Sequence, residues 1–471
     1  MLRHTPIFLK RSYLRPVSIF FTFILLIITG GGMAVQAQHY SISKETISVD
    51  APFAMPTFSI PDFANAARFN IVDFGAVTGN KELTTQAIAR AIDAAHEQGG
   101  TVVIPAGEWL TKKIHLKSHV NLHIAKGATL LFSGNPQDYL PAVFSTWEGL
   151  ECYNYSPLIY AFGAKNVAIT GEGEIKAIMD IWRQWFPRPQ AHMESIKRLY
   201  NWAQDNVPVA ERNMVNDTSN LRPQFIQFNR CENVLIEDVK IRNSPFWTVH
   251  LYLSRNIVVR NIDVYAHGHN NDGIDPEMSQ NILIENCVFD QGDDAVAIKS
   301  GRNPEGWRLK TPSKNIVIRN CKMNDGHQLV AIGSELSGGI ENVYVTDCEA
   351  GPKANLMHLL FIKTNERMGG SVNGIYFSNI TAHHLKDGIL GIDTDVLYQW
   401  RTLVPTKIKK LTPIQNISLE HIRATEAKFI AKINGNPELP VRGVTLKRVS
   451  LSKASEQEIQ KIHVIDFHYE K

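Results

Sequence analysis

Apolar and polar residues alternate in a short phrase that recurs along the chain. Each clear copy begins with Asn, as in Asn233-Val-Leu-Ile-Glu, and further copies begin at Asn256, Asn281, Asn315 and Asn342. The alternation predicts a short strand with one buried face in each copy. Strands that recur at intervals of 23 to 34 residues, with variable loops between them, indicate a solenoid of stacked coils. We therefore expect an all-β fold in one large domain.

Three cysteines are in register with this repeat. Cys287, Cys321 and Cys348 each follow the leading Asn of their copy by six residues, so they should form a ladder at one position of three successive coils. A buried thiol behaves as a small apolar residue. We predict free thiols rather than a disulfide.

The region before the repeats predicts one helix between β segments. Residues 69–75 are expected as a strand and turn, and residues 101–107 as a strand. Between them, residues 83–98 place Ile88, Ala91, Ile92 and Ala95 on one helical face, and two glycines follow. A short N-terminal helix here would cap the open end of the solenoid, whose strands would otherwise present unpaired edges.

Residues 177–222 interrupt the repeat pattern and are rich in aromatic side chains, including Trp182, Trp185 and Tyr200. Two interpretations stay open: a packed insertion, or a wall of a substrate cleft. A wall that closes one end of a groove would favour exo action.

The first 37 residues have the layout of a secretory signal. Lys10, Arg11 and Arg15 precede an apolar run at 17–28, and small residues at 35–37 offer a cleavage point. We predict a signal peptide at 1–37, an N-terminal extension at 38–65 and a catalytic domain at 66–471. The protein is then exported, to a periplasm or beyond the cell; a retained N-terminal anchor is the alternative.

The charge balance argues against a polyanion-binding surface spread over the whole protein. The chain has 49 Lys and Arg residues against 46 Asp and Glu, and four of the basic residues lie in the predicted signal peptide, which leaves 45. An acidic ligand must therefore be held by local groups. We expect no nucleic-acid partner, no membrane contact after signal removal, and a monomer.

Three polar clusters follow successive strands of the repeat, at residues 270–272, 292–294 and 326–328. Asp293 and His327 both lie twelve residues after the Asn of their copy, and Asp272 lies sixteen after its own. Because equal offsets in stacked coils place residues one above the other, we expect carboxylates and an imidazole to share one surface patch.

Crowded carboxylates cannot all ionise freely, so one can serve as a general acid while the others activate water. Hydrolysis of a glycosidic bond requires that pair of roles. The alternative for any one Asp or Asn is a turn in which it binds backbone groups. We assign Asp275 to such a turn.

These clusters resemble the signature blocks of the polygalacturonase family of pectin hydrolases, glycoside hydrolase family 28. Asn270-Asn271-Asp272, Gly292-Asp293-Asp294 and Gly326-His327-Gln328 match three of the blocks, and Phe361-Ile362-Lys363 falls at a fourth. The likeness runs from about Phe69 to Ile380. It implies a right-handed parallel β-helix, a pectic substrate, and inverting hydrolysis with neither a metal nor another cofactor.

The resemblance also implies roles for individual residues. Asp293 is expected as the general acid, Asp272 and Asp294 as the pair that activates water, and His327 as their support. Lys363 resembles the family's contact to the substrate carboxylate; apart from the resemblance, Asn271, Arg222 and His250 are further expected substrate contacts. Trp247 is a lesser pocket candidate, and core packing is the alternative for Trp247 and His250.

Two departures from the family pattern concern the substrate. Phe361 stands where the family usually has Arg, and Gln328 replaces a Gly. Either change is compatible with a different sugar beside the cleaved bond, such as rhamnose in rhamnogalacturonan. The rival functions are a calcium-dependent lyase on the same solenoid and a catalytically impaired, glycan-binding β-helix.

Overall fold

The computed structural model describes residues 42–215, 219–396 and 408–471. The predicted signal peptide lies outside the described residues. None of the helices in these three ranges is long and apolar enough to span a bilayer.

The chain winds as a parallel β-helix in which each coil contributes strands to three sheets. The first sheet contains the strands Ala67–Asn70, Gly100–Ile104, Val120–Ile124, Lys165–Thr170, Glu232–Glu237, Arg255–Arg260, Gln280–Glu285, Ser313–Arg319, Ile340–Thr346, Val372–Asp393, Ile414–Ala427, Val441–Ala454 and Val464–Glu470. The second contains Gly107–Thr111, Ala128–Phe132, Glu174–Ala177, Lys240–Arg242, Asp263–Ala266, Val288–Gln291, Lys322–Asp325 and Glu349–Ala350. The third contains Ile114–Leu116, Ile159–Phe162, Ile226–Asn229, Val249–Tyr252, Ile274–Glu277, Val296–Ile298, Gln328–Ile332, Leu356–Lys363, Phe429–Asn434 and Ile459–Ile462. The predicted all-β solenoid is confirmed.

The leading Asn of each repeat forms a ladder that runs along the stack. Asn233, Asn256, Asn281 and Asn315 all have φ between 57° and 58°, a left-handed conformation that Asn tolerates better than most residues. The side chain of Asn256 donates to Asn233 over 3.0 Å, and that of Asn281 donates to Asn256 over 3.0 Å. The repeat therefore begins with Asn because this position needs both a positive φ and an amide that can bond to the coils on either side.

The cysteine ladder lies where the repeat predicts it. The first sheet pairs Glu285 with Arg319 and Arg319 with Thr346, which aligns Cys287, Cys321 and Cys348 two residues later. All three are free and buried. Burial raises the pKa of the Cys321 thiol well above its usual range, so these thiols act as apolar core residues.

The N-terminal extension covers one outer face of the first sheet. Strands Ser43–Ile47 and Phe58–Asp62 form an antiparallel pair. Ile60 packs with outward-facing residues of the repeat such as Leu235, Val258 and Leu283, which are 5% exposed or less. The prediction of one buried face for each of these strands was therefore wrong, because a distant part of the chain buries the second face.

The helix before the repeats is present as α1, Lys81–Gln98, with the Asn80 side chain accepting a hydrogen bond from the Leu83 amide at its start. The four predicted apolar positions are buried, and α1 packs against the first strands of the solenoid. The strand Ala67–Asn70 is followed by a short 3-10 turn at residues 71–74. A strand and a turn are therefore present in this region, as predicted, but the strand ends at residue 70.

The aromatic insertion contains a 3-10 turn, Trp182–Trp185, helix α2, Gln190–Gln204, and a second short turn, Val209–Glu211. Helix α2 contacts a hairpin formed by Val143–Trp147 and Leu150–Asn154, and also contacts α3, Asn303–Leu309. Trp182 is fully buried. These elements stand beside the third sheet and form one side of the site described next.

Candidate active site

The polar clusters predicted from the sequence converge on one pocket. It lies where the chain passes from the second sheet to the third in successive coils, and its volume is about 350 Å³. Its acidic lining residues are Asp272, Asp293, Asp294, Glu148 and Glu335, and its basic ones are Arg188, Lys299, Arg302, Lys363, His269 and His327. The pocket thus combines crowded carboxylates with several cations.

Asp293 and His327 are vertical neighbours, as their equal offsets predict. The Nδ1 atom of His327 lies 2.9 Å from Oδ1 of Asp293, and the His327 amide donates to the Asp293 carbonyl over 2.9 Å. Burial alone would raise the pKa of Asp293, but the hydrogen bond and charge of His327, together with Lys363, lower it to about 2. The same hydrogen bond raises the pKa of His327. The pair therefore holds one proton, on the imidazole in the free enzyme.

Asp272 and Asp294 occupy adjacent coils, since the amide of Gly273 donates to the Asp294 carbonyl over 2.9 Å. Burial, and after it the charge of Asp293, raises the pKa of Asp272 to about 7. Burial also raises the pKa of Asp294, against the opposing charge of Lys363. Burial and the crowding of like charges thus keep these carboxyls from ionising together.

Lys299 stands at the centre of the carboxylates and was not predicted from the sequence. Its Nζ atom lies 3.3 Å from Asp272, 3.6 Å from Asp275 and 3.5 Å from Glu335. Burial would lower the pKa of Lys299, but these carboxylates raise it well above its usual value. The only signal in the sequence is one Lys at the end of the apolar run Ala295–Ile298.

Asp275 is not in a turn, and that prediction was wrong. It belongs to the strand Ile274–Glu277, is fully buried, and pairs with His250 in the neighbouring strand. Burial and the nearby Asp272 raise its pKa well above the usual range. The extended pairing places its side chain beneath the pocket, beside Lys299.

Lys363 and Phe361 project from the strand Leu356–Lys363 into the later end of the pocket. The Nζ atom of Lys363 lies 3.5 Å from Oδ2 of Asp294. Phe361 stacks on His358 with ring centroids 4.8 Å apart and an interplanar angle of 8°. Gln328 also lines the pocket and donates to the sulfur of Met357 over 3.6 Å.

The sequence analysis also missed the ion pair between Arg302 and Glu335. A carboxylate oxygen of Glu148 lies 3.8 Å from the same guanidinium. Burial would raise the pKa of Glu335, but Arg302 and Lys299 lower it to about 2. Glu335 lies in the loop that follows the strand Gln328–Ile332. Glu148 and Arg302 come from the hairpin turn and the start of α3, which no motif marks.

Three residues predicted to contact the substrate, Asn271, His250 and Arg222, do not line the pocket. Asn271 is 1% exposed and donates to the carbonyls of Ser244 and Phe246. His250 is fully buried, with Nε2 2.9 Å from Glu277. In each case the predicted role was wrong, because the side chain is buried and makes its hydrogen bonds within the protein.

Arg222 is also fully buried and does not line the pocket, so its predicted substrate contact was wrong as well. Its guanidinium donates to the carbonyl of His269 over 2.5 Å and to Oδ1 of Asn270 over 3.0 Å. It also lies 5.0 Å from the ring centroid of Phe186. Arg222 therefore ties the insertion to the loop that carries two lining residues.

Trp247 lines the pocket although it is only 1% exposed, and the Nζ atom of Lys299 lies 4.6 Å from its ring centroid. Trp247 is therefore a packed residue that also lines the pocket.

One carboxylate atom each of Asp293 and Asp294 and one nitrogen of His327 lie within 4.8 Å of one another, close enough to ligate a cation. Lys363 forms an ion pair with Asp294, and the charge of Lys299 acts on both Asp293 and Asp294. Because Ca²⁺ and Mg²⁺ prefer oxygen ligands without competing cations, this donor set suits acid–base chemistry better than a divalent metal site.

The arrangement can donate a proton on one side and accept one from water on the other. Asp293 shares a proton with His327, while Asp272 and Asp294 sit in adjacent coils beside the ammonium groups that stabilise their charged forms. Hydrolysis of a glycosidic bond requires carboxyl groups whose pKa values differ, so that one acts as the acid and another as the base.

Comparison with known proteins agrees with this chemistry. The model of glycosyl hydrolases family 28 matches residues 209–467. The chain is 29% identical over 404 residues to a probable polygalacturonase of Vitis vinifera, covering 82% of this chain and 74% of that protein. It is 29% identical over 379 residues to an exo-poly-alpha-D-galacturonosidase of Dickeya chrysanthemi, covering 74% of this chain and 60% of that protein.

Among solved structures, a hyperthermoactive exopolygalacturonase from Thermotoga maritima superposes with a TM-score of 0.80 at 34% identity, covering 87% of this chain and 93% of that one. The shared fold is the right-handed parallel β-helix. A family match over more than half of the chain and a structural match over 87% of it agree with the acid–base pocket. This chain is therefore a member of glycosyl hydrolases family 28, and thus a glycoside hydrolase.

Proposed function

We propose that this enzyme hydrolyses α-galacturonosidic linkages of pectin from a chain end, with inversion at the anomeric carbon. The observation that carries the proposal is the single pocket in which Asp272, Asp293 and Asp294 stand together with a cation, Lys363, suited to a sugar carboxylate. Names of the similar proteins, a polygalacturonase and an exo-poly-alpha-D-galacturonosidase, support the same substrate class.

In this mechanism Asp293 protonates the leaving oxygen. In the free enzyme, His327 and Lys363 hold the pKa of Asp293 at about 2. A bound galacturonate carboxylate compensates the charge of Lys363, so the pKa of Asp293 rises and the proton shared with His327 becomes available to the glycosidic oxygen. The glycosidic C–O bond then breaks as Asp293 gives up that proton.

Water attacks the anomeric carbon on the opposite face of the sugar, and the Asp272–Asp294 pair accepts its proton. The raised pKa of Asp272 makes it a strong enough base once ionised, and Lys299 stabilises its charge. The proton taken from water replaces the proton delivered to the leaving group after product release. A single displacement of this kind inverts the configuration.

The pocket is bounded on one side by elements that support exo action. Glu148 from the hairpin turn, Arg188 from the insertion and Arg302 at the start of α3 all line it. Helix α2 packs against both the hairpin and α3, which makes a continuous wall. A long polysaccharide cannot pass through such a wall, so only a chain end can enter.

Digestion of homogalacturonan oligosaccharides, with the products identified by mass and by proton NMR, tests this proposal. Galacturonate released one unit at a time, with the anomer inverted at first appearance, is the expected result. A ladder of oligosaccharides would refute exo action, and retention of configuration would refute the single displacement.

A lyase or a non-catalytic glycan-binding protein would behave differently in the same assay. Activity should persist in a chelator and yield no unsaturated product absorbing in the ultraviolet; the opposite outcome identifies a lyase. A binder would retain the oligosaccharides intact.

A rhamnogalacturonan-specific galacturonohydrolase is the second candidate, and Phe361 favours it. This ring lines the pocket where a charged side chain would otherwise suit a second galacturonate, and its apolar face suits a sugar such as rhamnose. Faster digestion of rhamnogalacturonan oligosaccharides than of homogalacturonan would establish this activity.

Export and a monomeric state complete the proposal. The predicted signal peptide supports export, and secretion of a tagged full-length chain tests it. Light scattering of the mature protein tests the monomer.

A further inference from the structure

The cations that line the pocket differ in what they already contact. Lys299 pairs with Asp272 and Glu335, and Lys363 pairs with Asp294. Arg302 forms an ion pair with Glu335 and approaches Glu148. These three cations therefore balance the carboxylates of the enzyme itself.

Arg188 is different. Its charge, after that of Arg302, opposes the rise that burial gives the pKa of Glu148, but among residues 42–215, 219–396 and 408–471 no carboxylate lies within 4.0 Å of its guanidinium, and its buried Nε atom has no hydrogen-bond partner. His269, which lines the same pocket, likewise has a buried Nε2 atom without a partner. Buried polar groups of folded proteins are normally satisfied, so two unsatisfied donors in one pocket point to a ligand that satisfies both.

The backbone around Arg188 holds it in place. Pro187 and Pro189 flank it, which restricts the backbone on both sides. The Arg188 amide donates to the carbonyl of Trp185 over 3.2 Å. Phe186 packs against the buried guanidinium of Arg222, which in turn binds the His269 carbonyl. The insertion thus presents Arg188 at a fixed position rather than on a mobile loop.

The position of Arg188 separates it from Lys363. His269 precedes the strand Ile274–Glu277, whereas Lys363 ends the strand Leu356–Lys363, three strands further along the third sheet. Strand spacing places these two strands about 14 Å apart. The charge of Arg188 acts on the His269 imidazole, so Arg188 stands towards the His269 end of the pocket and Lys363 towards the other end.

We propose that Arg188 binds the carboxylate of the sugar unit that enters the walled end of the pocket, with the neutral imidazole of His269 donating to the same unit. A planar guanidinium matches a carboxylate with two parallel hydrogen bonds. Burial, and after it the charge of Arg188, lowers the pKa of His269 to about 4, so the ring is neutral near pH 7. The inference rests on the proposed galacturonide substrate. It assigns the residue that selects a uronic acid as the terminal unit.

The test compares Arg188→Gln and Arg188→Lys with the wild type on trigalacturonate. Removal of a charge-assisted pair should lower kcat/KM by about 10- to 100-fold, through KM rather than kcat, because the contact is equal in the ground and transition states. Arg188→Lys keeps the charge and should lose less. Arg183→Gln, an exposed substitution in the same insertion, is the matched control and should leave KM unchanged.

A second measurement separates recognition of charge from a general role in the wall. Competitive inhibition by galacturonate and by galactose is measured for each variant. The wild type should prefer galacturonate, and Arg188→Gln should lose most of that preference. An equal loss for both sugars, or an unchanged KM for trigalacturonate, would overturn the proposal. If the wild type cleaves no galacturonide, the proposed function fails instead, and the two failures are thereby distinguished.

Discussion

Nδ1 of His327 lies 2.9 Å from Oδ1 of Asp293, although 34 residues separate them in the chain. One coil of the β-helix brings them together. The contact joins the proposed general acid to a base that holds its proton in the free enzyme, and so it sets the pH range in which Asp293 can act.

Replacement of His327 with Gln should move the basic limb of the kcat profile to higher pH. The imidazole lowers the pKa of Asp293, so its loss raises that pKa and the acid stays protonated further up the pH scale. The value of kcat should fall by about 10²-fold because the supporting proton is lost. Initial rates between pH 3 and pH 9 measure both effects. His267→Gln, at an imidazole 2.5 Å from Asp290 outside the pocket, is the control, and an unshifted limb in the His327 variant would contradict the pairing.

Replacement of Asp293 with Asn should abolish proton donation while leaving the pocket its shape. We expect kcat to fall by about 10³-fold or more, with trigalacturonate still bound in a calorimetric titration. Asp290→Asn, three residues earlier on the same coil, should keep kcat close to that of the wild type. Equal turnover in the Asp293 and Asp290 variants would remove Asp293 from the mechanism.

Lys299 should be essential for stability as well as for the site. Lys299→Met leaves Asp272, Asp275 and Glu335 buried without their shared cation, which costs about 3–5 kcal/mol of unfolding free energy. Lys322→Met is the control, because Lys322 is 44% exposed and its ion pair with Glu349 spans 3.8 Å. Urea unfolding at pH 8 measures the free energy of unfolding of both variants. If the two variants lose similar stability, Lys299 does not hold the carboxylates together.

The raised pKa of Asp272 should appear in the pH dependence of stability. Its pKa is about 7 in the folded protein and 3.8 ordinarily, so the folded state binds this proton more tightly. That contribution is fully present below about pH 4 and is lost as the pH rises to about 7. Asp272→Asn lacks this loss, so its unfolding free energy relative to the wild type should rise by about 1–3 kcal/mol between pH 4 and pH 8. A difference that does not change with pH would show that Asp272 titrates normally.

The Asn ladder offers a test of the repeat itself. Asn281 has φ of 57°, donates to Asn256 over 3.0 Å and accepts from Asn315 over 3.1 Å. Asn281→Ala loses both bonds and strains the backbone, at about 3 kcal/mol in all. Asn281→Gly loses the bonds but tolerates the positive φ, so it should be about 1 kcal/mol more stable than the Ala variant. Thermal unfolding of the two variants measures the difference, and a Gly variant no more stable than Ala would exclude backbone strain.

Local regularity explains what could be predicted. The repeat interval, the offset of twelve residues shared by Asp293 and His327, and the six-residue offset of the cysteines all follow from coils that stack in register. In a solenoid each coil contacts mainly its neighbours, so spacing along the chain converts directly into position in space. Helix α1 was predictable for a similar reason, since its apolar face has a short period.

The incorrect predictions concern residues whose contacts do not follow the repeat. Asp275 was assigned to a turn because its neighbours favour turns, yet it lies in a paired strand, buried beneath the pocket. Arg222 has the charge to bind a substrate, but its contacts with His269 and Asn270 bury it. Neither contact has a sequence interval that repeats elsewhere in the chain.

By itself, the sequence determined the stacking of coils and the gathering of Asp272, Asp293, Asp294 and His327 on one patch, because both depend on a repeat interval that can be counted. Only the tertiary structure decided which cations share those carboxylates. Lys299, Arg302 and Arg188 reach the pocket from a strand end, a helix start and an insertion, and their positions depend on packing between segments whose separation along the chain follows no period.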